Sequence, residues 1–288
     1  MKKAAFASKS PAQPVGSSQS LGAWLNALAV LQPPARIVHV GMSATPDEAA
    51  VWLHWPLSKA LIIGAEPVAV DQLKATAVSP EVIEAQSQVI ADTEGLVEFY
   101  EASNPSESGL VDPNFLRMVW SSLTLSKRSQ REATTLDHAA AAFISTPVHP
   151  VSEPQWLVVD CLPAIRILSG GQHLLESTSL VCVRVIAEAG FRGEPSGADL
   201  VSVDQWLAEH GFKRAAYIHA LNPKIGHAVY GRTQSVAATR AAAQAEAAKK
   251  QTLDTLHQDL SNTRAERETL QTRSSKLETQ LKTAVAQH

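Results

Sequence analysis

Residues 37–48 read IVHVGMSATPDE, an apolar run that stops at Gly41 and is followed by a helix start. Thr45 suits an N-cap, Pro46 the first helical position, and Asp47 and Glu48 the first turn, where acids meet the positive end of the helix dipole. A short aliphatic run of this kind is a strand buried on both faces. Strand, tight turn and helix make the opening unit of an α/β sheet, and the rest of the chain repeats the pattern.

Before this unit, LGAWLNALAVL (residues 21–31) carries Leu21, Trp24, Leu25, Leu28 and Leu31 at helical spacing and ends before Pro33 and Pro34. After the strand over 36–40, a helix is expected over 46–57. Further strands are expected over 60–63, 82–90, 96–100, 156–159, 180–186, 215–220 and 228–230, and SVDQWLAEHGF (residues 202–212) is a helix ended by Gly211. Alternation of this kind predicts an α/β fold with a doubly wound, mostly parallel sheet covered on both faces.

Composition divides the chain in three. Residues 1–20, rich in Ser, Ala, Pro and Gln, read as a flexible N-terminal arm, and residues 21–232 as the α/β domain. Residues 233–288 contain no glycine, proline or aromatic residue and read as one long helix. With Leu253 at heptad position a, the a and d sites are Leu253, Leu256, Leu260, Thr263, Arg267, Leu270, Ser274, Leu277, Leu281 and Ala284, a coiled-coil seam. In a parallel dimer Asp259 would face Arg264 and Arg273 would face Glu278, so both flanking pairs attract. Self-association through residues 253–284 is therefore expected.

A net charge of −3 gives no general reason to expect nucleic acid as partner. Cys161 and Cys182 lie in apolar runs without metal-ligand spacing, no metal site is expected, and a reduced compartment is the simplest reading. The first residues lack a signal-peptide core, and no run approaches the roughly 18 apolar residues of a membrane span. A cytoplasmic protein is expected.

In a doubly wound sheet, ligands sit beyond the carboxyl ends of the strands. Glu66 follows the second strand, 25 residues after Gly41, where an acid can accept hydrogen bonds from two ribose hydroxyls. The loop after Gly41 suits phosphate poorly: Pro46 has no N–H, Thr45 caps others, and Asp47 and Glu48 repel a pyrophosphate. NAD and ATP are disfavoured, whereas S-adenosylmethionine (SAM), a phosphate-free cation, is compatible. A plain strand-to-helix turn without ligand accounts for the same residues.

The order and wording of IVHVG, LIIGAEP, TEGLVEFYEASNPSESGL, TTLDHAA, LVVDCLPAIRIL and SVDQWLAEHGF resembles the FkbM family of SAM-dependent methyltransferases, over about residues 36–232. The resemblance implies a class I methyltransferase (Rossmann-like) fold and O-methylation of a hydroxyl on a sugar, glycan or secondary metabolite. Carried over to this chain, it implies a cofactor site of His39, Gly41, Ser43 and Glu66. Asp160, at the end of a central strand, is the expected base or acceptor anchor. The chain also departs from the family's wording. His39 stands where the family places an acid, and the family's DVEGAE reads DCLPAI over residues 160–165. A neutral His39 gives up a charge-assisted bond to the SAM ammonium, worth roughly 1.5 to 3 kcal/mol.

Two functions are open: an O-methyltransferase with altered loops, or a non-catalytic relative whose coiled coil joins copies and partners in a glycan-synthesis assembly. His173, His219 and His227 have no zinc spacing and read as surface or satisfied core histidines. The glycines of SGG (residues 169–171) read as a helix break or packing contact. Trp120 lies in a segment able to line an acceptor cleft.

Overall fold

The computed structural model describes residues 20–42, 48–66, 70–145, 154–187 and 197–233, with scattered positions between 258 and 276. The chain divides into two compact units, residues 1–233 and 234–288. Helix α1 (Leu21–Leu31) is followed by β1 (Arg36–Val40), a 3-10 turn (Glu48–His54), β2 (Lys59–Gly64), α2 (Val70–Thr76) and β3 (Ile83–Ser87). Next come β4 (Val89–Ala91), β5 (Gly95–Ala102), α3 (Pro113–Leu116), β6 (Leu125–Thr135), α4 (Leu136–Ala139) and α5 (Ala141–Ser145). The first unit closes with β7 (Gln155–Val159), α6 (Ala164–Ser169), α7 (Gln172–Ser177), β8 (Thr178–Ile186), α8 (Leu200–Glu209), β9 (Phe212–His219) and β10 (Ile225–Arg232).

Seven strands form the main sheet in the order β3-β2-β1-β7-β8-β10-β9. The ladders from β3 through β8 are parallel, and β10 is antiparallel to both its neighbours. The expected doubly wound, mostly parallel sheet is present. All five residues of β1 are buried because both faces of the sheet are covered. Val38 and Val40 pack with Leu136, Phe143, Ile167, Leu174 and Leu207 from the helices on one face. On the other face, Ile37 packs with Leu21, Leu25, Trp52 and Leu73.

Several elements differ from expectation. In place of a helix over 46–57, residues 48–54 form a 3-10 turn; residues 43–47 lie outside the described set. The strand expected over 82–90 breaks at Gln88 into β3 in the main sheet and β4 in a second sheet, ordered β4-β6-β5. β6 has no counterpart in the sequence reading, because LSKRSQREATT exposes both faces along most of its length and carries no apolar run. Leu31, placed on the buried face of α1, is 82% exposed, since that helix runs past the edge of the core it packs on. Gly170 makes a packing contact: an added Cβ would lie 2.5 Å from the Ala91 carbonyl oxygen.

The segment between β5 and β6 covers one end of the main sheet. Val111, Leu116, Val119 and Leu123 pack on Leu162, Ile186 and Ile225, so the segment caps the sheet beyond the carboxyl end of β8. Asn222 Nδ2 donates to the Val119 carbonyl at 2.6 Å and Lys224 Nζ to that of Met118 at 2.9 Å, which pins the cap to the β9–β10 turn. No helix among the described residues is long and apolar enough to cross a membrane.

In the second unit the described positions Thr263, Arg267, Leu270 and Ser274 are helical and exposed, Leu270 to 65%. The remaining a and d sites of the expected coiled coil lie outside the described residues. So do residues 1–19 of the arm expected over 1–20, whose last residue, Ser20, caps α1.

Candidate functional site

His39 is the fourth residue of β1, paired in register with Ile62 of β2 and Val158 of β7, and it is fully buried. Its Nδ1 accepts a hydrogen bond from Trp52 Nε1 at 3.0 Å. A neutral imidazole in this arrangement carries its proton on Nε2, which has no partner among the described residues. Burial disfavours the cation and, against the nearby Asp160 carboxylate, holds the His39 pKa at about 4.

Asp160 follows β7, and its N–H donates to the Val40 carbonyl at 2.8 Å, which ties the end of β7 to β1. His227 Nε2, from β10, donates to Asp160 Oδ1 at 2.8 Å; both side chains are nearly buried. Burial alone would raise the Asp160 pKa. The hydrogen bond from His227, with the charges of His227 and Arg184, outweighs it and holds the carboxyl at about 2. Arg184 pairs in register with His227 across β8 and β10, and its Nη2 meets Glu107 Oε1 of the cap at 2.6 Å. Asp160, His227, Arg184 and Glu107 thus form a buried polar row along the carboxyl edge of the sheet. The sequence points to Asp160 by its place at a strand end and to His227 as a surface or satisfied core histidine; His227 is a satisfied core histidine, but its pairing with Asp160, and Arg184 and Glu107 beside it, were not foreseen.

The other expected site residues are separately engaged. Gly41 has φ +86°, and an added Cβ would lie 2.7 Å from both Cβ and Sγ of Cys161. The Cys161 thiol, pushed up to about 12 by burial and by Asp160, stays protonated. Glu66 sits just beyond β2, where a ribose-binding acid belongs. Its Oε1 accepts from Arg131 Nη1 of β6 at 2.6 Å. Ser43 lies outside the described residues. Trp120 is half-buried and packs against the cap. Asp137 begins α4, and its carboxylate accepts from the N–H groups of His173 and Leu174, so it caps α7.

SAM would need an acceptor for its ammonium, a carboxylate for its ribose and backbone room beside the first glycine. His39 is buried under Trp52, Glu66 is engaged by Arg131, and the open side of Gly41 is filled by Cys161. As placed, these three residues do not fit SAM.

One consequence is a pH dependence. The unfolded chain binds a proton on His39 with pKa 6.5, which the folded chain takes up only near 4. Stability is therefore complete above the unfolded value and falls as pH drops from 6.5 towards 4. Asp160, ordinarily at 3.8 and held at about 2, adds a further loss below that window. Urea unfolding across this range is expected to lose on the order of 3 kcal/mol from His39. His39→Asn, whose side-chain oxygen can still accept from Trp52, should flatten the slope between pH 6.5 and 4; an unchanged slope would assign it to other groups.

The strand order of the main sheet, with β10 antiparallel to both its neighbours near one end, defines the class I methyltransferase (Rossmann-like) fold. No family model matches the chain, and no curated protein does. Among solved structures, the chain is similar to methyltransferase FkbM from Methylobacillus flagellatus KT at 8% identity and a TM-score of 0.41, over 69% of this chain and 43% of that one. It is similar to Burkholderia thailandensis 1,6-didemethyltoxoflavin-N1-methyltransferase, solved with S-adenosylhomocysteine, at 8% identity and a TM-score of 0.39, over 74% of this chain and 77% of that one. The N-terminal domain of EvdMO1 with S-adenosylhomocysteine bound aligns at 7% identity and a TM-score of 0.39, over 75% and 82%. The chain spans less than half the length of the first of these. Likenesses this distant carry no function across.

Proposed function

We propose that this protein is a non-catalytic relative of the class I methyltransferases, a scaffold that joins copies of itself through residues 253–284 and, through them, partners of a glycan-synthesis assembly. The supporting observation is that the groups SAM would use are engaged inside the chain: Glu66 by Arg131, the open side of Gly41 by Cys161, and His39 by Trp52. The self-association half is supported by the leucine heptads and by Leu270, which a lone helix leaves 65% exposed.

A second reading, SAM-dependent O-methylation of a sugar or glycan hydroxyl, is favoured by one specific contact. The 2.8 Å bond between His227 and Asp160 makes a carboxylate-oriented imidazole at the carboxyl edge of the sheet, an arrangement suited to accepting a proton. In that reading His227 is the base and Asp160 orients it.

Calorimetric titration of the full chain with SAM separates the two. No saturable heat and no thermal shift at millimolar SAM is expected, and saturable binding overturns the non-catalytic reading. Light scattering on the same sample should give twice the chain mass, and a chain ending at residue 233 should be monomeric. A monomeric full chain removes the scaffold.

A further inference from the structure

Arg131 on β6 is held by four groups around the end of β2. Its Nη1 donates to Glu66 at 2.6 Å and to the Ala65 carbonyl at 3.2 Å, its Nη2 donates to Glu101 at 3.0 Å, and its guanidinium lies 4.1 Å from the centre of the Phe99 ring. Three acceptors and one aromatic face therefore converge where a doubly wound fold presents its ribose-binding acid. An adenine nucleoside has the matching set: two ribose hydroxyls and an exocyclic amine as donors, and a planar base that stacks on an aromatic face. A guanidinium, planar and rich in N–H donors, satisfies the same groups.

We propose that Arg131 is a built-in occupant of the nucleoside half of a cofactor cleft, so that this chain keeps a latent adenosine site that its own side chain fills. The proposal rests on the non-catalytic reading and names the side chain that closes the site. Glu66 is 62% exposed, so its pair with Arg131 is by itself weak. Exclusion comes instead from occupancy: the stacked guanidinium lies over Phe99, which is 1% exposed, and no base can reach that ring while Arg131 covers it. Three more contacts keep Arg131 in place when Glu66 is drawn away. Its loss uncovers an aromatic face and frees Glu66 and Glu101 together.

Adenosine is the informative probe, because it lacks the methionine part and so does not depend on His39 or Gly41. Calorimetry on the full chain should give no saturable adenosine binding for the native protein, and binding at least tenfold tighter for Arg131→Ala. Glu66→Gln added to Arg131→Ala should weaken that binding at least tenfold, as should replacing adenosine by 2′,3′-dideoxyadenosine. Circular dichroism and a cooperative unfolding transition establish that each variant is folded. Arg131→Ser serves as the second variant if alanine impairs folding. An Arg131→Ala or Arg131→Ser protein that is folded and binds adenosine no better than the native chain overturns the proposal, as does binding indifferent to Glu66. The two readings fail separately. Native protein that binds SAM sinks the non-catalytic reading, whereas folded Arg131 variants without adenosine affinity sink only the latent site.

Discussion

Gly41→Ala is expected to lower the stability of the folded chain by about 3 kcal/mol, read as a shift in the urea midpoint with an unchanged slope. Two effects add. An L residue at φ +86° costs about 1 to 2 kcal/mol. The new methyl also meets Cys161 Cβ and Sγ at 2.7 Å, and both belong to the packed turn after β7. Overpacking of that kind costs about 1 to 3 kcal/mol. The two parts can be separated with Cys161→Gly, which removes the colliding atoms and leaves the backbone strain. The double variant should be more stable than the sum of the single changes predicts, by about 1 to 2 kcal/mol. Strict additivity would mean that Cys161 does not explain the glycine. The result bears on function, because a glycine after the first strand invites a cofactor reading. In this chain it admits the side chain of Cys161 from the turn after the neighbouring strand.

The parts of the fold legible in the sequence were those with a one-dimensional signature. β1, β2, β7 and β8 are buried on both faces, and such strands must be aliphatic throughout, so IVHV, LII, WLVV and VCVRV declare themselves. β6 is the opposite case. LSKRSQREATT is mostly solvated, its hydrogen bonds go to β4 and β5, and nothing in its composition distinguishes it from a polar loop. That missed strand carries Arg131, so the fate of Glu66 was invisible for the same reason. Asp160 was legible because strand ends are where α/β sheets place their chemistry. His227 stands 67 residues away and meets Asp160 only because β10 inserts between β8 and β9. One trace did exist: in IGHAVYG the histidine shares the face of Ile225 and Val229, which are buried, and a polar ring there needs a partner. The contact between Gly41 and Cys161 left no trace in the sequence, since it depends on β7 lying beside β1 with residue 160 in register beyond Val40.

Arg184→Met is expected to cost about 3 to 5 kcal/mol, because it leaves the Glu107 carboxylate buried without its cation. Glu107 is only 4% exposed at its side chain, and the cap that holds it is anchored through Asn222 and Lys224, so it has little freedom to turn out to water. Arg184→Met combined with Glu107→Leu replaces the pair by apolar side chains next to Leu116 and Leu162. It should recover most of the loss, since a buried ion pair exchanged for hydrophobic packing is often near neutral. The polar row predicts a second readout that packing alone does not. Arg184 is one of the charges that hold the Asp160 carboxyl at about 2, so both Arg184 variants should raise that pKa and shift the lower end of the acid limb to higher pH, shrinking the loss that begins near 3.8. The shift should persist in the double variant even where stability has returned, because the Asp160 environment depends on the missing guanidinium and not on how well its replacement packs. Recovery of stability together with an unshifted acid limb would mean that Asp160 answers to His227 alone. The four-residue row would then reduce to two independent pairs.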